Sequence, residues 1–211
     1  MELQLALDMV EEEKGLAVAK SVADLIDILE LGTPYSFIHS IDSVGMYKKA
    51  LPGVRILSDF KIMDGGYGMA EIAYKAGADV TTVSARTWDD TVKQAIQAAR
   101  DNGRQILVDM MGVPEDEIAK RGAEIDAMKP DYICIHRAVS VASSASPEEP
   151  LRMLREVVKN AKVAVAGGIN CETLKKVVQY HPDLVIIGSA ISSAENPRAV
   201  AEEMRGIMEG K

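Results

Sequence analysis

Short apolar segments and longer amphipathic segments alternate along this chain, eight times each. Continuous apolar runs predict parallel strands covered on both faces, and the amphipathic segments predict surface helices. The predicted strands are residues 3–7, 25–29, 54–58, 79–83, 105–108, 132–135, 163–165 and 184–187. The predicted helices are residues 11–23, 43–51, 69–76, 88–102, 115–128, 150–160, 171–179 and 197–208.

The number and size of these units predict the architecture. Eight strand–helix units in 211 residues average about 26 residues each, and eightfold barrels begin near 200 residues. We therefore predict an α/β fold, the (β/α)8 TIM barrel, with residues 1–211 forming a single domain. Segments 74–80, 127–132 and 179–184 repeat a pattern of helix end, turn, Asp and apolar strand, which predicts equivalent joints between units.

An open doubly wound sheet is the alternative architecture, because the glycine-rich segment 65–68 could suggest a dinucleotide site. Its spacing is not G-x-G-x-x-G, and no acidic residue follows the next strand, where Ser84 stands instead. The barrel is therefore the favoured prediction.

Charge and cysteine content limit the partners and the compartment. A formal net charge of -8 and a pI near 5.0 argue against nucleic-acid and anionic-membrane surfaces, which need clustered Lys and Arg. No apolar run reaches the roughly 20 residues of a membrane span, and the first residues do not resemble a signal segment. Cys134 and Cys171 lack metal-type spacing, so we expect packing roles, a reducing cytoplasmic compartment and a small-molecule partner.

Polar residues or glycines follow every predicted strand, and in a barrel the carboxyl ends of the strands surround the active site. Asp59 and Lys61 share one face of a strand because side chains alternate. Alone they could be a surface ion pair, but the other strand ends favour a site. These strand-end residues are Asp8, Glu30, Asp59, Lys61, Ser84, Arg86, Asp109, His136, Arg137, Gly167, Gly168, Gly188 and Ser189.

Four of these residues are carboxylates: Asp8, Glu30, Asp59 and Asp109. Carboxylates that converge repel one another unless a cation neutralises them, and their oxygens are ligands suited to Mg²⁺. The pattern therefore predicts a divalent metal. Lys61 in the same place can pair with the acids and supply positive charge or a proton to an intermediate.

The last two strands end in glycines, at Gly167-Gly168 and at Gly188-Ser189. Glycine lets backbone amides approach a ligand, and this is the usual position of the barrel phosphate site. A single Gly-Gly pair is more often only a tight turn. The two turns together favour phosphate binding.

Of the three histidines, His136 directly follows an apolar strand, so we expect it to face the site and to transfer protons. A hydrogen-bonded structural role is the alternative. His39, in a predicted loop, and His181, in a predicted joint, are expected at the surface. Trp88 is expected to pack in the core, as are the methionines.

Six segments together resemble one known family: LALD at 5–8, DILELGTP at 27–34, DFKIMDGG at 59–66, VDM at 108–110, VAGGI at 165–169 and VIIGSAI at 185–191. They are similar to 3-hexulose-6-phosphate synthase and its relative 3-keto-L-gulonate-6-phosphate decarboxylase (KGPDC), within the orotidine monophosphate decarboxylase superfamily. The resemblance implies a Mg²⁺-dependent lyase acting on a phosphorylated pentulose or hexulose. Residues at the positions of Glu30 and Asp59 would hold the metal, which stabilises a 1,2-enediolate.

The resemblance also implies roles for other residues. Asp8 would bind substrate hydroxyls, Lys61 would lie beside the enediolate, and His136 would carry protons. The glycines of the last two strands would hold the phosphate. The family forms homodimers with active sites at the interface, where the residue matching Asp64 reaches into the partner's site.

The two family members make the shared intermediate differently. The synthase deprotonates ribulose 5-phosphate and adds formaldehyde, whereas the decarboxylase loses CO₂ and then protonates the enediolate. Asp109, the Ile62-Met63 pair and Ser189, where the decarboxylase has an arginine, resemble the synthase, while His136-Arg137 resembles the decarboxylase and suggests that Arg137 binds substrate.

Segment 138–150 differs from both family members, including Ser140, Val141 and Ala142. We expect a synthase-like aldolase, with the decarboxylase as the alternative. A sugar-phosphate-binding protein that has lost catalysis is a third, less favoured hypothesis.

Overall fold

The computed structural model describes residues 1–138 and 147–211, in which eight parallel strands close into a barrel. Each strand pairs with its neighbours in the sequence, and β8 pairs with β1. The strands are β1 (Glu2–Leu7), β2 (Ile28–Leu31), β3 (Arg55–Ile62), β4 (Val80–Ser84), β5 (Gln105–Asp109), β6 (Tyr132–His136), β7 (Lys162–Ala166) and β8 (Leu184–Ile187). The predicted (β/α)8 barrel is confirmed.

Helices cover the outside of the barrel. In the described ranges they are α1 (Glu12–Ser21), α2 (Thr33–His39), α3 (Asp42–Ala50), α4 (Gly66–Lys75), α5 (Asp89–Asp101), α6 (Ile118–Asp126), α7 (Glu148–Val157), α8 (Cys171–Val177), α9 (Ser189–Ser192) and α10 (Pro197–Met208). Short 3₁₀ turns at Glu115–Glu117 and Val178–Tyr180 adjoin α6 and α8. Among the described residues, no helix is long and apolar enough to cross a membrane.

Several local predictions were wrong. Helices α2 and α9 were not predicted, and His39 ends α2 with its Nε2 3.0 Å from the Val10 carbonyl oxygen instead of lying in a loop. The second strand lies later in the chain than residues 25–29, because Leu25 N–H bonds to the Val22 carbonyl in a turn. Trp88, predicted to pack in the core, is 83% exposed.

The predicted joints between units share one hydrogen bond. The carboxylates of Asp79, Asp131 and Asp183 each accept from the N–H of the second residue of the preceding strand, at 2.8 to 2.9 Å. Asp27 does the same for Leu3 N–H at 2.8 Å, so the joint recurs at every second unit. These bonds satisfy strand-end amides at the amino-terminal end of the barrel, away from the site.

The core has two parts. A large apolar cluster lies between the barrel and its helices, and a smaller one fills the barrel interior with Ala6, Ile28, Leu57, Val80, Leu107, Tyr132, Cys134, Ala164, Ala166, Leu184 and Ile186. Alternate side chains of each strand point into the barrel, so these apolar residues fill its interior. Polar side chains remain at the carboxyl ends of the strands.

Candidate active site

A cavity of about 580 Å³ opens at the carboxyl ends of the strands. It is large enough for a small ligand, and its position is that of barrel active sites. Ten of the predicted site residues line it: Asp8, Glu30, Asp59, Lys61, Asp109, His136, Gly167, Gly168, Gly188 and Ser189.

Lys61 lies between two acids at the base of the cavity. Its Nζ is 2.9 Å from Oδ2 of Asp59 and 2.9 Å from Oδ2 of Asp109. Burial lowers the pKa of Lys61, but the two carboxylates outweigh burial and hold it above its ordinary value. The ammonium group is therefore a fixed positive charge.

The backbone of β3 changes conformation to place this lysine. The third strand extends to Ile62, beyond the predicted 54–58, and its pairing with β4 shifts register between Ser58 and Ile62. Lys61 has a φ of 44°, which non-glycine residues rarely adopt, and its N–H donates to Thr82 Oγ1 at 2.8 Å. Such irregularities commonly redirect a side chain at a functional site.

Asp59 is held by two threonines that the sequence did not single out. Thr33 Oγ1 donates to Oδ2 at 2.8 Å, and Thr82 Oγ1 donates to Oδ1 at 2.6 Å. Thr33 belongs to the segment DILELGTP at 27–34 that carries the family resemblance, so this segment could have identified it. Thr82 lies inside a predicted strand, and only the pairing of β3 with β4 reveals it.

Glu30 is buried beside Asp59, and Gln4 Nε2 donates to its Oε2 at 2.5 Å. Burial, with the charge of Asp59, raises the pKa of Glu30 to about 8, and the same two causes raise the pKa of Asp8. Both carboxyl groups therefore hold a proton more readily than an ordinary carboxyl group does.

The chemistry around Glu30 and Asp59 fits a hydrated divalent cation. Gln4 Oε1 is buried without a protein partner, and a metal-bound water could satisfy this acceptor. Within residues 1–138 and 147–211, no group of three His, Cys, Asp or Glu side chains is arranged for a metal. Mg²⁺ often takes only one or two carboxylates and keeps several waters, so two ligands suffice.

His136 lies at the end of β6 and contacts the same acid as Lys61. Its Nδ1 is 2.9 Å from Asp109 Oδ2, and Asp109 Oδ1 accepts from Met111 N–H at 2.8 Å. Burial raises the pKa of Asp109, but the hydrogen bond and charge of His136, together with Lys61, hold it well below its ordinary value. Asp109 therefore stays ionised and orients both side chains.

The glycine turns form the opposite wall. Gly167 has a φ of 98°, and a Cβ there would lie 2.1 Å from the Arg137 carbonyl oxygen, so a side chain does not fit. A Cβ at Gly188 would lie 3.7 Å from Asp8 Oδ2, which places the β8 turn beside the end of β1. The backbone after β6 thus restricts position 167 to glycine, and both turns line the cavity.

Four predicted residues lie outside the cavity lining: Asp64, Arg137 and the strand-end residues Ser84 and Arg86. Asp64 is exposed, and its Oδ1 accepts from the N–H of Gly65 at 2.7 Å. The Arg137 side chain pairs with Glu115 at 3.1 Å. Positions 139–146, which include Ser140, Val141 and Ala142, lie outside the described residues.

Comparison with known sequences identifies the family. Residues 1–204 match the orotidine 5'-phosphate decarboxylase / HUMPS family. The chain belongs to this family. Because decarboxylases and aldolases are lyases, the predicted enzyme class and the predicted family resemblance are confirmed.

Relatives within and around the family agree with this assignment. A 3-hexulose-6-phosphate synthase from Staphylococcus aureus (strain bovine RF122 / ET3-1) is 41% identical over 212 residues, covering 100% of both sequences. The structure of 3-hexulose-6-phosphate synthase from Salmonella typhimurium has a TM-score of 0.95 at 33% identity, covering 100% of this chain and 99% of that one. The structure of KGPDC from Streptococcus mutans has a TM-score of 0.86 at 23% identity, covering 99% and 97%, and supports the fold alone.

Proposed function

We propose that the chain is a Mg²⁺-dependent aldolase that joins formaldehyde to ribulose 5-phosphate, as a 3-hexulose-6-phosphate synthase does. The observation that carries the proposal is the network in which Lys61 bridges Asp59 and Asp109 while Asp109 also contacts His136. A fixed cation beside an oriented imidazole suits formation of an enediolate. The 41% identity to a relative named 3-hexulose-6-phosphate synthase supports this substrate choice.

The substrate would extend across the cavity, from the turns after β7 and β8 to Lys61 and His136. Its phosphate would bind at the turns of Gly167-Gly168 and Gly188-Ser189, with Asp8 next to Gly188 accepting hydrogen bonds from substrate hydroxyls. The reacting carbonyl end would then lie near Lys61 and His136. Arg137 stays a predicted substrate contact.

Glu30 and Asp59 would hold Mg²⁺, which when bound supplies positive charge to the oxygens of the enediolate. His136, oriented by Asp109, would take the proton from carbon 1 of the substrate. Lys61 would stabilise the negative charge that develops on the neighbouring oxygen. Carbon 1 then attacks formaldehyde: a C–C bond forms, the formaldehyde C=O π bond opens to an alkoxide, and the carbonyl at carbon 2 forms again. The alkoxide takes up the proton that His136 removed, which gives the hexulose phosphate.

We further propose a homodimer with active sites at the interface. Asp64 is exposed and does not line the cavity of its own chain, and Met63 beside it is 55% exposed. Thr87 Oγ1 donates to the Met63 carbonyl at 2.5 Å, which joins this loop to the exposed Trp88. Large exposed apolar side chains near a site are typical of a covered surface, and Asp64 would enter the partner's cavity.

Residues 1–211 are proposed to work as one domain in the cytoplasm. The decarboxylase is the second candidate function, favoured by the His136-Arg137 pair that follows β6. A non-catalytic sugar-phosphate-binding role is the third, because segment 138–150 differs from both enzymes.

The test is condensation of formaldehyde with ribulose 5-phosphate, measured with Mg²⁺ and after EDTA treatment. We expect turnover that EDTA abolishes and Mg²⁺ restores. Undetectable condensation with rapid decarboxylation of 3-keto-L-gulonate 6-phosphate would instead support the decarboxylase. Tight binding of both sugar phosphates without turnover of either would support the non-catalytic role.

A further inference from the structure

The cavity contains a second lysine. Among the described residues that line it, the lysines are Lys14 and Lys61, and no arginine contributes. Lys61 forms ion pairs with Asp59 and Asp109. Lys14 is exposed, and within residues 1–138 and 147–211 it forms no ion pair or hydrogen bond.

Lys14 lies on the side of the cavity where the β1 and β8 ends meet. Strand β1 pairs with β8, and α1, which carries Lys14, follows β1 after a short loop. The close approach of Gly188 to Asp8 brings this loop against the β8 turn. Ser189, Ser192 and Ser193 line the same cavity from that turn. Lys61 and His136 come from β3 and β6, away from this wall.

The position of Lys14 is set by the packing of its helix. A Cβ on the adjacent Gly15 would lie 2.7 Å from Tyr47 Oη and 3.3 Å from a methyl group of Val10, so the first turn of α1 sits tightly on the structure beneath it. The lysine stem therefore starts from a fixed point at the rim. Its flexible end remains free to reach a bound anion.

The glycine turns offer no positively charged group to a phosphate bound there. Backbone amides and the hydroxyl of Ser189 donate hydrogen bonds but carry no net charge, whereas a sugar phosphate brings about two negative charges near neutral pH. We propose that the Lys14 ammonium group binds the phosphate of the substrate. This assignment rests on the proposed function, since it requires a phosphorylated substrate in this cavity.

A role in phosphate binding has a defined kinetic signature. Lys14 is remote from the reacting end, so it would bind the phosphate equally in the ground state and the transition state. Its loss should therefore raise KM and leave kcat unchanged. Arginine at this position should retain the charge and most of the affinity.

The experiment compares Lys14→Gln and Lys14→Arg with Lys20→Gln, a control on the same helix outside the cavity lining. We expect Lys14→Gln to raise KM for ribulose 5-phosphate about ten-fold, from the loss of one charge-assisted contact, with kcat within about two-fold of wild type. Binding of inorganic phosphate, followed by ³¹P NMR, should weaken in parallel. Lys14→Arg and Lys20→Gln should resemble wild type.

The two possible failures are distinguishable. Equal phosphate affinity in Lys14→Gln and Lys20→Gln would overturn the role of Lys14, even if the enzyme condenses its substrates as proposed. Phosphate binding that weakens only in Lys14→Gln, with no turnover in any variant, would support the role of Lys14 and contradict the aldolase activity.

Discussion

The Nδ1 atom of His136 lies 2.9 Å from Oδ2 of Asp109, the same oxygen that accepts the ammonium group of Lys61. Asp109 is buried, and these two partners hold its pKa below the ordinary value against the effect of burial. One carboxylate thus orients the proposed proton carrier and the proposed electrophile together. The proposed role of Asp109 therefore depends on its negative charge as well as on its position.

Replacing Asp109 with Asn keeps the shape and removes the charge. We expect kcat to fall by about 10² to 10⁴, because His136 and Lys61 lose their shared counterion. Steady-state assays of condensation would measure this. Asp90→Asn, at an exposed ion pair with Lys93, is the matched control and should keep full activity. Near-normal kcat in Asp109→Asn would contradict the proposed network.

Lys61→Ala should reduce turnover by about 10³ or more, since it removes the fixed charge beside the enediolate. The barrel should remain folded, as judged by circular dichroism. Lys61→Gly should be equally inactive yet more stable than Lys61→Ala by about 1 kcal/mol, because glycine adopts a positive φ without strain. Equal urea midpoints for the two variants would show that the φ of 44° at this position carries no cost.

The proposed sharing of each site between two protomers predicts complementation between inactive variants. Lys61→Ala and Asp64→Ala should each be inactive as homodimers. A heterodimer carrying one of each, purified with two different tags, has one site in which both residues are intact. It should regain about half of the wild-type activity per dimer. A heterodimer as inactive as its parents would show that Asp64 does not act in the partner's site.

The architecture and most of the strand-end residues could be predicted because they follow from local pattern. Apolar runs closed by Asp8, Glu30 or Asp109 mark both the strand and the end that faces the site. The supporting residues could not be predicted in this way. Gln4 and Thr82 resemble ordinary strand residues, and only strand pairing brings them to Glu30 and Asp59.

The errors have physical causes as well. Short helices such as α2 and α9 have too few residues to show an amphipathic period, so their sequences resemble loops. Trp88, which we expected to pack in the core, directly precedes α5 and is not covered by any described element. Interfaces between chains are enriched in aromatic side chains, so a single tryptophan in a sequence does not distinguish the proposed dimer surface from a core.

Asp126 predicts a pH dependence of stability that is independent of the active site. Burial raises the pKa of Asp126, but backbone N–H groups of Ala161, Lys159 and Asn160 outweigh burial and lower it. A carboxyl group with a lowered folded-state pKa stabilises the fold above its ordinary pKa of about 4 and loses this contribution as pH falls through the folded-state value.

Asp126→Asn should therefore lower the free energy of unfolding by about 1 to 3 kcal/mol at pH 7. The difference from wild type should shrink at pH values below about 4. Urea unfolding at pH 7 and pH 3 would measure both values. A difference that stays constant between the two pH values would exclude a contribution from the carboxylate charge.

The most direct test of the account is hydrogen exchange at carbon 1 of ribulose 5-phosphate, followed by NMR in D₂O without formaldehyde. Formation of the 1,2-enediolate should exchange a carbon-1 proton for deuterium in the presence of wild-type enzyme and Mg²⁺. Exchange should stop with EDTA, return with added Mg²⁺, and be absent from His136→Gln. Condensation by the wild-type enzyme without any carbon-1 exchange, or exchange that is unchanged by EDTA, would contradict a metal-dependent enediolate formed at Glu30, Asp59 and Lys61.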